Sequence, residues 1–389
     1  MPAPRVLALP SVARLVARVG VAPRVPAPGP TRRRARSAVV GGAVLFVGVQ
    51  AALGYAIHTE RSPLRDPLYF DKVKLFRGHP AFLPGPDAAA DAPVTVLLVG
   101  SSRTLNAADA GAATRRLTAA LGRPADVFNF AQAGAGPVTN AVYVRRLQKD
   151  GVRPDFALIE VHPVFLAGQR PDPPEARWLL PFRLRPDELP LVRGLGFPAA
   201  TPATHGPRGF LAPFAEYRFL LLDRYAPVLL MNNSRLNGGH EPDANGFARL
   251  QPAVAPTERA YFMGLARGQY ADYFAGYRPT GPGVAAVRDT LEQCRAAGWK
   301  AGLILMPECA GWREWYDPAG LKELDALLAG LGAEYGVPVF DARAWVPDDL
   351  TVDGHHLTGP GADLFTEKLV RDALAPWLAR ELATPRPAP

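Results

Sequence analysis

Short, mostly apolar segments that alternate with longer helical patterns constrain the fold of this chain more than any other feature of its sequence. The first of these segments, Val94–Val99, ends directly before Gly100. Runs of this length predict strands that are buried on both faces, as in a parallel sheet covered by helices. The five predicted strands are Val94–Val99, Asp126–Phe130, Phe156–Val161, Ala301–Met306 and Val337–Phe340. We therefore predict a three-layer α/β/α domain with a five-stranded parallel sheet.

The helical patterns that follow these strands predict crossover helices over Ser101–Leu121, Pro137–Gln148, Gly283–Ala297, Ala319–Tyr335 and Gly361–Leu378. The alternation stops once, over residues 168–282, where Pro, Gly, Arg and aromatic residues are frequent. Two helices are expected in this stretch, near Pro213–Leu230 and Glu258–Phe274. We interpret the stretch as an insertion that forms a cap and divides the α/β domain into residues 94–167 and 283–380.

An apolar stretch, Ser37–Ile57, precedes the α/β domain, and Gln50 is its only strongly polar side chain after Ser37. Residues 1–36 contain eight Arg, and no Asp or Glu occurs before Glu60. About 20 apolar residues are enough for a helix to cross a bilayer, so we predict a transmembrane helix over residues 38–57. A buried core helix and a cleaved signal peptide are the alternatives. A core helix rarely follows an arginine run, and the stretch is long for a signal peptide.

The arginines on the N-terminal side of this stretch predict its orientation. The positive-inside rule keeps a disordered basic arm, residues 1–37, in the cytoplasm and places the α/β domain outside it. That location is the periplasm if the chain comes from a diderm bacterium. Residues 58–93 are then expected to be a linker or stalk, and residues 381–389 a disordered tail. Because the net charge of +8 is concentrated in the arm, we expect no nucleic-acid partner.

Cys294 and Cys309 are the two cysteines of the chain. Their positions leave open whether they form a disulfide. No cluster of histidines accompanies them, so the sequence predicts no metal site. Nothing in the sequence indicates an organic cofactor, a protein partner or an oligomeric state.

Polar residues follow the predicted strands at the carboxyl edge of the sheet, where open parallel sheets bind their ligands. The segments are Gly100–Thr104, Ala131–Gly136, Glu160–Pro163 and Asp353–His356. Ser102 lies at a strand-to-helix turn, where helix N-terminal amides favour negative charge. The spacing of Asp353 and His356 allows the carboxylate to orient the imidazole while the other ring nitrogen accepts a serine proton. The alternatives are Ser101 as the nucleophile and His355 as the base.

These blocks resemble the SGNH/GDSL hydrolase superfamily over roughly residues 94–166 and 283–378. Gly100-Ser101-Ser102 is similar to the Gly-Asp-Ser block of that family, and Asp353-Gly354-His355-His356 is similar to its Asp-x-x-His block. The resemblance implies the flavodoxin-like SGNH fold and a catalytic triad of Ser102, Asp353 and His356, with no metal.

The resemblance also implies an oxyanion hole. Ser102 and Gly134 are its expected backbone N–H donors, with Gly136 as the alternate glycine. The family normally provides an Asn side chain as a further donor, but the third block of this chain contains none. His162 is the candidate replacement, because a ring N–H can donate a hydrogen bond.

The Gly-Ser-Ser-Arg form resembles an anchored branch of the superfamily that includes alginate O-acetylation proteins and DltD-like proteins. Arg103, Glu308 and Arg313 are the candidate substrate-binding residues, and a structural salt bridge is the alternative for Arg103. An aromatic set is expected either to line a sugar-binding groove or to pack in the core. Its members are Trp312, Trp315, Tyr316, Tyr261, Tyr270 and Tyr273.

We therefore expect a membrane-anchored serine esterase or O-acyltransferase that works through an acyl-serine intermediate. The resemblance implies an acyl ester, with acetyl as the expected group, of an extracytoplasmic carbohydrate or envelope polymer. The alternative is a catalytically decayed binding or scaffold protein of the cell envelope, which the missing Asn favours. The sequence does not distinguish water from a sugar hydroxyl as the acyl acceptor.

Overall fold

The computed structural model describes residues 30–58, 64–83, 92–179, 183–197, 212–231, 235–236, 241–250 and 253–383. Within them, a five-stranded parallel sheet has the strand order β2-β1-β3-β4-β5. Its strands are β1 Val94–Val99, β2 Ala125–Asn129, β3 Phe156–Glu160, β4 Lys300–Leu305 and β5 Val339–Asp341. All residues of β1 are buried, as expected for an inner strand. The sheet confirms the predicted α/β class.

Helices precede, connect and follow these strands. They are α1 Pro30–His58, α2 Pro67–Leu75, α3 Ser102–Ala107, α4 Ala110–Leu121, α5 Pro137–Lys149, α6 Leu189–Gly194, α7 Pro213–Tyr225, α8 Pro256–Phe274, α9 Pro282–Ala296, α10 Ala310–Arg313, α11 Pro318–Tyr335, α12 Gly359–Lys368 and α13 Ala375–Ala383. A π-helical turn, Leu369–Leu374, joins α12 to α13.

Successive residues of β1 contribute to two hydrophobic cores, one on each face of the sheet. Leu97 and Val99 pack in the core that includes residues of α5, α9 and α11. Val96 and Leu98 pack in the core that includes residues of α4, α12 and α13. This alternation follows from the pleat of a strand. The helices cover both faces of the sheet and leave its carboxyl edge for polar residues.

Helix α1 begins at Pro30, within the arm that the sequence predicts to be disordered. Arginine is a good helix former and proline suits the first turn of a helix, so the helix includes the arginine run Arg32–Arg36. The helix is long and apolar enough to cross a membrane over Arg32–Ile57. Residues 1–29 of the arm lie outside the described residues. Two compact units, residues 1–52 and 53–389, divide the chain.

Residues 64–83 of the segment predicted as a linker contribute side chains to a hydrophobic core of the α/β domain. Helix α2 and the turns after it bury Tyr69, Phe76 and Phe82. Phe76 packs on Phe128 of β2, with 4.3 Å between the ring centroids. Full burial of a phenylalanine side chain stabilises a protein by about 1.5–3 kcal/mol, and an exposed stalk would lose this contribution.

Several helix boundaries also differ from the prediction. The helix expected over Ser101–Leu121 is divided into α3 and α4 at Asp109. The Asp109 side chain accepts a hydrogen bond from the Ala112 N–H at 2.8 Å and thereby caps a new helix. The last helix continues to Ala383, past the start of the predicted tail, of which residues 384–389 lie outside the described residues.

The described residues of the insertion, residues 168–282, include the helices α6, α7 and α8. Buried charged side chains attach its first part to the α/β domain. Arg146 of α5 pairs with Glu188 of the insertion at 2.5 Å and with Asp66 at 2.7 Å. Arg65 donates to the Leu184 carbonyl at 2.7 Å. Polar contacts therefore contribute to this attachment, together with Leu184 and Val192, which pack in a core of the domain.

Cys294 and Cys309 do not form a disulfide. Both are free thiols, and both are buried. Cys309 Sγ accepts a hydrogen bond from the Trp312 N–H at 3.3 Å. Burial raises the pKa of the Cys294 thiol to about 12, so this thiol stays protonated near neutral pH.

Candidate active site

Ser102 is the first residue of helix α3, directly after the turn that ends β1, and its side chain is partly exposed. Its Oγ lies 2.8 Å from Nε2 of His356. Nδ1 of the same ring lies 2.8 Å from Oδ2 of Asp353. A hydroxyl, an imidazole and a carboxylate are therefore joined in the order in which serine hydrolases use them.

The loop that carries Asp353 and His356 holds the two side chains together. The His356 N–H donates to Asp353 Oδ1 at 2.9 Å. Gly354 between them has a φ of 92°, which favours glycine, and a Cβ there would lie 3.0 Å from Cys309 Sγ. Burial alone would raise the pKa of Asp353, but the imidazoles of His355 and His356 hold this pKa well below its usual range. The carboxylate is therefore ionised at neutral pH.

Ser101, the alternative nucleophile, is buried and bonded to protein groups. Its hydroxyl donates to Glu160 Oε1 at 2.7 Å and accepts from the Arg103 N–H at 3.1 Å as the N-cap of α3. Glu160 also accepts a hydrogen bond from the Thr104 hydroxyl at 2.7 Å. These bonds fix the turn after β1 and leave Ser102 as the serine that contacts the imidazole.

The backbone N–H groups of Ser102 and Gly134 have no hydrogen-bond acceptor among the described residues. Gly134 has a φ of 68°, and a Cβ there would lie 2.7 Å from the Trp178 ring. Gly136, the alternate glycine, donates its N–H to Glu175 at 3.1 Å. Of the three candidate backbone donors, Ser102 and Gly134 therefore keep an N–H group that is available to an oxyanion.

Glu175 of the insertion fixes the loop that carries Gly134, and no sequence pattern identifies it. Its buried carboxylate accepts hydrogen bonds from the N–H groups of Gly136, Val138 and Thr139 at distances of 3.1, 2.9 and 2.7 Å. The Thr139 hydroxyl donates to the same carboxylate at 2.6 Å. Burial raises the pKa of Glu175 in spite of these four bonds.

His162 follows β3 and is buried, with its ring centroid 6.3 Å from that of His355. Its Nδ1 lies 3.3 Å from Nη1 of Arg103. Its Nε2 has no hydrogen-bond partner among the described residues. Burial, and then the charge of Arg103, hold the pKa of His162 well below its usual range. The ring is therefore neutral at physiological pH.

The three candidate substrate-binding residues bond to other protein groups. Arg103 is buried and donates to Glu308 Oε1 at 3.0 Å and to the carbonyls of Met306 and Pro307 at 2.7 and 3.0 Å. Glu308 is also buried, and burial raises its pKa. Arg313 donates to the Glu308 carbonyl. These contacts agree with the structural alternative for Arg103, and substrate binding by the three residues stays a prediction.

Aromatic side chains cover the histidines of the site. The ring of Tyr270 of α8 is stacked on the Trp178 ring, with 5.7 Å between the ring centroids. Its centroid lies 5.9 Å from that of the His355 ring. Of the predicted aromatic set, Trp312, Tyr316, Tyr270 and Tyr273 are buried, Trp315 is partly buried and Tyr261 is exposed. Most of the set therefore packs in the core. Trp178, which no sequence pattern indicates, is a partly exposed ring next to Gly134.

Asp353, His355 and His356 place their ligand atoms within 4.8 Å of one another, which is close enough to hold a metal ion. Both ring nitrogens of His356 are, however, already bonded to Ser102 and Asp353. A metal ion at this place would compete with the contacts between hydroxyl, imidazole and carboxylate. The geometry of the three side chains is therefore better explained by proton transfer than by metal binding.

No protein-family model matches this sequence, and no curated protein matches it. Among solved structures, the chain is similar to the crystal structure of a proposed acylhydrolase from Bacteroides fragilis NCTC 9343, with 12% sequence identity and a TM-score of 0.34. The match covers 79% of this chain and 97% of that chain. Similarity at this level assigns neither a family nor an activity, so function has to be inferred from the geometry of the site.

Proposed function

We propose that the protein is a membrane-anchored serine esterase or O-acyltransferase of SGNH type with Ser102 as its nucleophile. The continuous contact from Ser102 through His356 to Asp353 is the observation that supports this proposal most. His356 Nε2 takes the hydroxyl proton as Ser102 Oγ attacks an ester carbonyl. The ionised Asp353 then stabilises the imidazolium that forms.

The attack turns the carbonyl oxygen into an oxyanion. The N–H groups of Ser102 and Gly134 would bind this oxyanion, with Nε2–H of His162 as the third donor in place of an Asn amide. The alcohol leaves with the proton held by His356, and an acyl-serine remains. Water or a sugar hydroxyl then gives its proton to His356, attacks the acyl carbon and regenerates the Ser102 hydroxyl.

We further propose that the substrate is an acylated carbohydrate or envelope polymer outside the cytoplasm. Helix α1, with the arginine run at its N-terminal end, supports a single-pass anchor whose N-terminus is cytoplasmic. In spheroplasts, externally added protease should therefore degrade the α/β domain. Protection of the domain in intact spheroplasts, with cleavage only after lysis, would contradict the proposed orientation.

Hydrolysis of p-nitrophenyl acetate by the full chain in detergent tests the reaction. The wild-type chain should turn over this ester, and Ser102→Ala should reduce turnover to the background rate. Ser101→Ala is the serine variant for comparison. It should lower turnover less than Ser102→Ala, because it weakens the turn after β1 but leaves the Ser102 hydroxyl in place. An unchanged rate in Ser102→Ala would show that the assignment of the nucleophile is wrong.

The partition of the acyl group distinguishes an esterase from a transferase. Release of free acetate is measured with and without an acceptor oligosaccharide, together with acetylation of that oligosaccharide. An esterase releases free acetate in both cases. A transferase releases less free acetate when the acceptor is present and forms the acetylated sugar instead.

A catalytically decayed binding or scaffold protein is the second candidate, and the replacement of the usual Asn by His162 favours it. Such a protein would bind an acylated polysaccharide without consuming its esters. Wild-type protein that binds the polymer but shows the same ester release as Ser102→Ala would support this candidate over the enzyme.

A further inference from the structure

We propose that Arg103 is a positioning residue that places the ring proton of His162 on Nε2 and so makes this histidine an oxyanion donor. The inference rests on the proposed function, because it assigns a role within the same site. It gives Arg103 an indirect role in place of the predicted contact with substrate.

The chemistry of the two side chains determines the tautomer. Arg103 Nη1 lies 3.3 Å from His162 Nδ1. A guanidinium has only donors, so Nδ1 must be the acceptor in this bond and carries no proton. In a neutral imidazole the proton is then on Nε2, the nitrogen that has no partner among the described residues. An Nε2–H without a protein acceptor can donate to an oxyanion as the nitrogen of an Asn amide does.

Further bonds hold the guanidinium in place. Arg103 Nη1 also donates to Glu308 Oε1 at 3.0 Å, and Nη2 donates to the carbonyls of Met306 and Pro307. Because Glu308 pairs with this charge, Arg103 can remain buried beside His162. Arg103 is also the residue after Ser102, so one short segment carries the nucleophile and orients a donor.

Burial and then the neighbouring charges keep the ring of His162 neutral. Burial is the main cause of its lowered pKa, and Arg103, His355 and His356 lower this pKa further. Glu308 accepts a hydrogen bond from the same guanidinium nitrogen, Nη1. A neutral ring has a single N–H, so the position of that proton decides whether His162 offers an oxyanion a donor or an acceptor.

A double-mutant cycle on the full chain tests the inference through kcat and KM for p-nitrophenyl acetate. Arg103→Met combined with Glu308→Gln removes the guanidinium without leaving a buried carboxylate unpaired. This double variant should lower kcat roughly 10- to 100-fold, with little change in KM, because one donor is lost or misplaced. In the His162→Asn background, the same change should lower kcat less than about threefold, since an amide nitrogen is a donor without any tautomer. Equal losses in both backgrounds would overturn the inference.

A spectroscopic readout on the unmutated chain keeps the inference testable if the variant that combines Arg103→Met with Glu308→Gln does not fold. The ¹⁵N spectrum of histidine-labelled protein distinguishes protonated from unprotonated ring nitrogens, and the signal lost in His162→Asn assigns the ring. We expect an unprotonated Nδ1 and a protonated Nε2 at neutral pH. A proton on Nδ1, or on both nitrogens, would overturn the inference.

The two measurements separate this inference from the proposed function. If the wild-type chain fails to hydrolyse the ester, the proposed function fails, and a tautomer with the proton on Nε2 would have no bearing on catalysis. If the wild-type chain is active but the proton is on Nδ1, or the cycle shows no coupling, the role of Arg103 is wrong and the assignment of Ser102 stands.

Discussion

The α/β domain and the insertion contribute to the same site in different ways. In the α/β domain, Ser102 and His162 follow strands, and parallel topology brings the ends of those strands to one edge. In the insertion, Glu175 and Trp178 reach the site from a short 3₁₀ turn and its end, Pro174–Trp178, in a segment without periodic pattern. Part of the site geometry therefore depends on a region whose sequence alone gives no indication of it.

Two buried glutamates show this difference most clearly. Glu160, at the end of β3, accepts hydrogen bonds from Ser101 and Thr104 and fixes the turn after β1. Glu175 accepts hydrogen bonds from Gly136 and other groups of the loop after β2. Both carboxylates accept hydrogen bonds that hold a loop of the site, but Glu160 belongs to the α/β domain and Glu175 belongs to the insertion.

The largest expected effect concerns the candidate triad of the α/β domain. His356→Ala should lower kcat for ester hydrolysis on the order of 10⁴- to 10⁶-fold, because the serine then has no base. His79→Gln is the matched control. His79 Nδ1 lies 2.8 Å from Asp126 Oδ1, but its Nε2 faces the Ala244 carbonyl and not a serine.

The control should lose stability and keep kcat per folded molecule, as measured by chemical denaturation and steady-state kinetics on the same preparation. A comparable loss of kcat in both variants would mean that the effect of His356→Ala reflects misfolding. Retained kcat in His356→Ala would contradict the triad directly.

The next largest effect concerns the attachment of the insertion. Arg146→Met leaves Asp66 and Glu188 buried without their partner, and we expect a loss of about 3–5 kcal/mol in the free energy of unfolding. Arg288→Met, which removes an exposed pair with Glu334, should cost about 1 kcal/mol or less. Urea unfolding of both variants measures the difference, and equal losses would show that the buried contacts do not attach the insertion.

The sequence predicts the sheet because its information there is local and periodic. Apolar runs of strand length predict all five strands of the described sheet, and the observed strands differ from the predicted ones only at their ends. The predicted serine lies just after the end of β1, and the predicted aspartate and histidine are three residues apart on one loop. These local features are enough to predict that the three side chains lie together. Their catalytic roles stay predictions until activity is measured.

The remaining features depend on contacts between segments that are distant in the sequence. Glu175 and Trp178 touch a loop that precedes them by about 40 residues, and Arg103 bonds to Glu308 more than 200 residues later (308 − 103). No spacing rule relates such residues. Phe76, in the segment predicted as a linker, likewise packs on Phe128, which lies about 50 residues later in the sequence (128 − 76).

A smaller expected effect concerns Glu175. A glutamine has one acceptor oxygen and a donor nitrogen, so Glu175→Gln cannot accept from Gly136, Val138 and Thr139 together. We expect kcat to fall roughly 100-fold, because the Gly134 N–H is displaced from the oxyanion. Glu258→Gln is the matched control, since Glu258 accepts from the exposed Ala255 N–H at the start of α8. Equal kcat values in Glu175→Gln and the control would contradict this role.

The smallest effect is a pH dependence with opposite signs for rate and stability. Burial raises the folded-state pKa of Glu175 above its ordinary value. A protonated carboxyl accepts fewer hydrogen bonds, so the wild-type rate relative to Glu175→Gln should fall as the pH drops through this raised pKa. The free energy of unfolding relative to the variant should instead rise as the pH drops. The native state binds the proton more tightly, so this contribution is fully present below the unfolded-state pKa and is lost as the pH rises through the folded-state pKa.

Rate ratios and urea unfolding of both chains across the acid range measure these two trends. Parallel changes of rate and stability with pH would show that Glu175 affects activity only through unfolding. Opposite changes would show that an insertion residue shapes the active site itself.

The most direct test of the central claim is the reaction of the full chain with a fluorophosphonate probe, read by intact-protein and peptide mass spectrometry. An activated serine forms a stable bond to phosphorus, whereas an ordinary hydroxyl does not react at a comparable rate. We predict one phosphonyl group per wild-type chain, located on Ser102, equal labelling of His79→Gln and no labelling of His356→Ala. An unlabelled wild-type chain, or a phosphonyl group on Ser101, would contradict the account.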